Sequence, residues 1–382
     1  MCVRHAEVLV TTLAAILESA PQCFGSGYPE ARALFRGACT DIGIPVVAYE
    51  HPLKGPQGEE LAIDVAIIGP SDAAHLLIVV SGTHGLEGLA GSGCQVAWLR
   101  LHDHSALPPD TAVLLVHGLN PWGCAWSRRQ TEDNVDLNRN FRDFSQALST
   151  NTLYEAVHDI VVNPPQPIRA AADPALAAFR QTHGDEGLAA ALFSGQYRHS
   201  DGVGFGGNGP TWSNSTLHRI VATYAMSAKR AVVLDIHTGL GPFGYGTLLC
   251  AESSQTSAVR RARNYFGPGV VTVSEADAVP YEIHGNLLSW FGAELSCEVT
   301  SIGIEFGTGR LETLLDLQVD DCRLQLSNTS WAAHGDEIRR DLVEFFFPAT
   351  TDWMQSVMLR TLHMMHLAVR GMQSEVGKEI AC

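Results

Sequence analysis

No apolar run in this chain reaches the roughly 18 to 20 residues that a membrane-spanning helix needs, because Gly, Pro or charge interrupts each one at strand length. A membrane span is therefore not expected. Positive charge is also scarce: 25 Lys and Arg face 41 Asp and Glu, a formal net charge of −16. Nonspecific nucleic-acid affinity comes from clustered cations, so nucleic acid is excluded as a partner. The nine cysteines are odd in number, scattered, and contain no Cys-x-x-Cys pair, which argues against a disulfide framework or a cysteine zinc site. They read as reduced thiols of a cytoplasmic protein. Val8 to Leu17 has the look of a weak signal-peptide core, but Glu7 and Glu18 bracket it and no small-residue cleavage pattern follows. Internal repeats and low-complexity linkers are lacking too.

What is present is enough apolar sequence, 46% of residues, to bury a sizeable core. Strand-like runs recur at Leu61 to Ile68, Leu76 to Val80, Ala112 to Val116, Ala231 to Ile236, Gly269 to Val273 and Ile302 to Phe306. Several are apolar on both faces, as strands covered by helices on both sides must be. Helical patterns lie between them at Leu89 to Leu101, Pro174 to Gln181, Ser215 to Met226, Gln255 to Tyr265 and Gly285 to Phe291. Asp173 before Pro174 is a capping side chain followed by a proline at the first helical position. The alternation predicts an α/β fold: a three-layer sandwich with a central mixed, mostly parallel sheet and helices on both faces.

The expected organisation is a helical extension over 1–27, a catalytic domain over 28–347 and a C-terminal helix and tail over 348–382, with Pro348 as the break. A Gly- and Pro-rich insertion occupies about 145–214. Its Gly-x-Gly patterns neither follow a strand nor open a helix, so a dinucleotide fingerprint is rejected.

Chemistry concentrates where strands end, because loops there converge on a crevice. His84 and Glu87 follow the run Leu76 to Val80 at a spacing that suits one metal ion. His237 ends the run Val232 to Ile236. Two histidines and a glutamate leave the fourth position of a tetrahedral zinc open to water, the composition of catalytic rather than structural sites. Bound zinc would bring that water's pKa to about 7 and polarise a carbonyl. Glu305, a carboxylate in an otherwise apolar strand, is the candidate general base. In the segment 128–141, Asn138 and Arg139 are candidates to grip a substrate carboxylate. Arg128 or Arg129 is the candidate to stabilise the oxyanion of a tetrahedral intermediate.

The order His84-x-x-Glu87, Asp136-Leu137-Asn138-Arg139-Asn140-Phe141, His237 and Glu305 resembles zinc carboxypeptidases of the carboxypeptidase A type. The likeness is greatest to a bacterial branch catalogued as a domain of unknown function, and Asp235-Ile236-His237-Thr238 is similar to the succinylglutamate desuccinylase and aspartoacylase relatives. The resemblance implies one zinc ion on His84, Glu87 and His237, with Glu305 activating water and passing its proton to the leaving amine. It further implies that Asp136 orients a zinc histidine, as does Asp235, and that Asn138 and Arg139 bind carboxylate. Tyr281 would contact substrate. The expected activity is hydrolysis of an amide bond next to a free carboxylate, in a small peptide or, alternatively, an N-acyl amino acid. A metal-binding module without catalysis is the contrasting reading.

Overall fold

The computed structural model describes all residues except 1–12, 149, 165–168, 253, 273–274, 276–282, 327–334 and 375–382. Strands β1 (Val46–Lys54), β2 (Glu60–Ile68), β3 (His75–Ser81), β4 (Thr111–His117), β5 (Arg230–Phe243), β6 (Gly246–Cys250), β7 (Val270–Thr272) and β8 (Glu298–Gly307) form one eight-stranded sheet in the order β1-β2-β4-β3-β5-β8-β6-β7. The four central strands β4, β3, β5 and β8 run parallel, while β1, β2 and β6 introduce antiparallel pairings on the flanks. The sheet is mixed with a parallel centre, the α/β arrangement expected from the alternation of strand and helix.

Period two along these strands divides the core. Leu77, Val79, Leu115, Val232 and Leu234 point to one face, where they pack with the helices Tyr28–Asp41, Gly88–Leu101, Ser257–Phe266 and Thr351–Gln373. Leu76, Ile78, Val80, Leu114 and Val233 point to the other and meet the helices Trp212–Tyr224 and Leu287–Glu294. Because both faces are covered, the central strands carry apolar residues on both sides. A third apolar cluster joins Leu86 to the helices Thr152–Val162, Pro174–Phe193, Leu311–Leu326 and Gly335–Phe346, and it flanks the loops at the carboxyl ends of the central strands.

Several expected boundaries shift. The strand from Ala231 does not stop at Ile236 but continues through His237 to Phe243. The helix expected over 174–181 runs on to Phe193, with a break at Gly184 where φ is 70°. Asp173 caps it as expected, accepting from the backbone N–H groups of Ala175 and Leu176. The insertion also contains the helix Thr152–Val162, capped by Asn151, which accepts from the Tyr154 N–H. Among the described residues no helix is long and apolar enough to cross a membrane.

Candidate metal centre

Three neighbouring parallel strands, β3, β5 and β8, deliver their carboxyl ends side by side. His84 and Glu87 leave the end of β3, Asp235 and His237 lie on β5, and Glu305 lies on β8. Glu305 is paired in register with His237, so the two side chains emerge from the same face at the same level of adjacent strands.

The loop after β3 is held down by Gly85. Its N–H and that of Leu86 donate to the carbonyls of Arg129 and Arg128. A Cβ at Gly85 would meet the Gly123 carbonyl carbon at 2.0 Å and the Arg128 carbonyl oxygen at 2.4 Å. Only a residue without a side chain permits that approach, and it brings Arg129 over Glu87.

His84, Glu87 and His237 are all buried, and their candidate ligand atoms lie within 4.8 Å of one another. His84 Nδ1 is 2.8 Å from Glu87 Oε1, and His237 Nδ1 is 2.9 Å from Glu87 Oε2. Each ring turns its other nitrogen to a buried aspartate: His84 Nε2 to Asp136 Oδ1 at 3.1 Å, His237 Nε2 to Asp235 Oδ2 at 2.6 Å. The carboxylates are themselves anchored. Thr83 Oγ1 donates to Asp235, the Asn138 N–H donates to Asp136, and the Thr238 N–H donates to Glu87. Both Nδ1 atoms therefore converge while both Nε2 atoms are fixed, which is how ligating imidazoles are oriented by carboxylates behind them.

Electrostatics give the same picture. Burial works to lift Glu87, but His84 and His237 outweigh it and hold the carboxyl below its ordinary range. Burial works to lower His237, yet Asp235 and Glu87 outweigh it and hold the imidazole well above its usual value. Glu87, Asp136 and Asp235 thus create a demand for positive charge at this point, and a divalent ion on His84, Glu87 and His237 fits that donor set.

Glu305 behaves differently. Burial, reinforced by Glu87, pushes it up to about 7 against the opposing pull of His237, the Leu240 N–H and Arg129. The Leu240 N–H donates to Glu305 Oε1 at 3.0 Å.

The structure separates the two arginines. Arg129 donates from Nη1 to Glu87 at 3.1 Å and from Nε to Asp136 at 3.3 Å, placing its charge beside the candidate ligands. Arg128 points elsewhere: Nε donates to Asp321 Oδ2 at 2.8 Å, and Nη2 to Gln130 and Asn134. Its guanidinium is committed to a buried ion pair with Asp321 rather than to the candidate ligands. Arg139 is likewise engaged within the protein. It is buried and donates to the carbonyls of Phe193 and Asn138, so it does not present an open fork in this conformation. Asn138 is half-buried, with Oδ1 accepting from the Leu287 N–H. Tyr281 lies outside the described residues. Thr83, Thr238 and the Leu240 N–H were not singled out from sequence; the position of Thr83 and Thr238 next to the two histidines was the available signal.

A family model described as a protein of unknown function, DUF2817, matches residues 24–360. No curated protein sequence matches the chain. Among solved structures, carboxypeptidase A from Helicoverpa armigera is similar at a TM-score of 0.50 and 14% identity, over 91% of this chain and 73% of that one, a likeness of fold. A metallo-carboxypeptidase from Pseudomonas aeruginosa aligns at a TM-score of 0.41 and 14% identity, over 87% of this chain and 69% of that chain. An aspartoacylase family protein from Mesorhizobium loti aligns at 0.35 and 16% identity, over 74% and 67% respectively.

Proposed function

The chain belongs to the DUF2817 family, and we propose that it is a zinc-dependent hydrolase cleaving an amide bond next to a free carboxylate. The observation that carries this reading is the convergence of His84 Nδ1 and His237 Nδ1 on Glu87 with each Nε2 held by an aspartate. Zinc held by these three side chains would supply an acidified water and a Lewis acid for the scissile carbonyl. Glu305 is the general base. Its Oε1 is held by the Leu240 N–H, which leaves Oε2 to take the proton and return it to the leaving amine. Without metal, burial and Glu87 hold this carboxyl up at about 7, and a cation on Glu87 would relieve part of that push and favour the carboxylate a base needs. Arg129 brings the positive charge that a developing oxyanion needs, and Asn138 offers an amide for substrate contact.

Hydrolysis of small N-acyl amino acids is the second reading of the same centre. The inward position of Arg139 on the Phe193 carbonyl bears equally on both, because an N-acyl amino acid and a peptide C-terminus each carry a free carboxylate.

The test is a panel of dipeptides, longer peptides and N-acyl amino acids offered to zinc-loaded and chelator-stripped protein. Zinc-dependent release of an amine supports the proposal, and the preferred half of the panel chooses between the readings. Absence of stoichiometric divalent metal from the purified protein, with no hydrolysis after loading, overturns it.

A further inference from the structure

A second constellation of imidazoles and carboxylates lies away from the candidate centre. Glu155 and His158 are three residues apart on the helix Thr152–Val162, a spacing that puts both on one helical face. His199 and Asp201 approach them from the loop between Gln196 and Phe205. His158, His199 and Asp201 each offer a ligand atom within 4.8 Å of the others. His199 Nε2 is 3.1 Å from Glu155 Oε2, and His158 Nε2 is 3.7 Å from Asp201 Oδ1. The two rings are stacked, with centroids 3.8 Å apart and planes at 29°. His158 Nδ1 is buried and has no hydrogen-bond partner among the described residues.

We propose that Glu155, His158, His199 and Asp201 form a second divalent-metal site, suited to zinc, cobalt or nickel, that ties the insertion's first helix to the 196–205 loop. Two imidazoles with carboxylate oxygens are a borderline donor set that selects such ions over calcium or magnesium. Ligation needs neutral imidazole. An ion shared by both rings requires the stack to open; Arg198 lies 3.5 Å from Glu155 Oε1, leaving Oε2, the oxygen facing His199, for the ion.

The ion would tie down more than a surface loop. Asn134 donates to the carbonyls of Ser200 and Gly202, and the Phe205 carbonyl accepts from the N–H of Asp136, the carboxylate behind His84. The loop is thus one hydrogen bond from the first centre, and loading the second site would brace that carboxylate.

The experiment counts metal per chain by mass spectrometry after chelator treatment and dialysis against zinc. Wild type is compared with His199→Gln, Asp201→Asn and His237→Ala, each checked for native circular dichroism. The expected result is two zinc ions in wild type, one in His199→Gln and Asp201→Asn, and one in His237→Ala. A single ion in wild type, unchanged by His199→Gln and Asp201→Asn but lost in His237→Ala, overturns the second site and leaves the hydrolase reading intact. An ion lost in His199→Gln but unaffected by His237→Ala would support the second site and count against the first. If His199→Gln misfolds, Asp201→Asn, at a more exposed position, makes the same comparison.

Discussion

His237 is held at both ring nitrogens by carboxylates on opposite sides, Glu87 at 2.9 Å on Nδ1 and Asp235 at 2.6 Å on Nε2. One of these is a ligand candidate and the other an anchor, and the two roles separate on substitution. Asp235→Asn keeps the shape but loses the charge behind the ring. Zinc affinity is expected to fall about 10- to 100-fold, measured by chelator competition, with a similar loss for Asp136→Asn behind His84. Unchanged affinity in both would remove the orienting role.

The adjacent arginines predict opposite phenotypes. Arg128→Met leaves the buried Asp321 carboxylate without its partner, with side chains only 5% and 1% exposed in the pair. Stability is expected to drop by about 3 to 5 kcal/mol in denaturant unfolding. Arg129→Met should instead lower kcat by about 10²- to 10³-fold, as the loss of one oxyanion donor does. Equal effects of the two changes on rate would refute this division.

Gly85→Ala should disrupt the candidate centre although it touches no substrate. The added methyl group collides with the Gly123 and Arg128 backbone, and the loop carrying His84 and Glu87 must lift. Loss of zinc binding together with a lowered Tm is the expected outcome; a variant with wild-type zinc affinity would show that the close approach is dispensable.

His117 makes stability pH-dependent independently of the candidate centre. Burial lowers it from 6.5 to about 4, and its ring stacks on Phe35 with Nε2 2.8 Å from Ser92 Oγ. Between those pH values the unfolded chain binds a proton that the folded chain refuses, so stability falls as pH drops through the window. The loss is of the order of 3 kcal/mol by pH 4. His117→Gln should flatten that part of the stability–pH curve, and an unchanged slope would assign the effect to another group.

Much of the centre was legible because its residues sit at the ends of strands that are apolar on both faces. His84, Glu87, His237 and Glu305 stand out against Leu76 to Val80, Val232 to Ile236 and Ile302 to Phe306. Strand β1 was missed because it is a largely exposed edge containing Pro52, and β6 because its five residues follow a Gly-rich turn. The helix Leu311–Leu326 hid for a different reason: its buried side includes Gln318, Asp320, Asp321 and Arg323, so hydrophobic periodicity fails. Those charges are matched from afar, Asp320 by Arg169, Asp321 by Arg128 and Arg323 by Asp173. Nothing local in the sequence distinguishes Arg128 from Arg129; a partner on that distant helix does. The same holds for Arg139, whose acceptor is the carbonyl of Phe193 at the end of a helix in the insertion.

The central claim is that Glu305 activates water at a zinc centre built from His84, Glu87 and His237. Its most direct test is the hydrolysis rate of wild type against Glu305→Gln at equal, verified zinc occupancy, on the best substrate of the panel. The account predicts unchanged zinc content and a kcat lowered by about 10²- to 10⁴-fold in the variant. Equal rates at equal occupancy would contradict it.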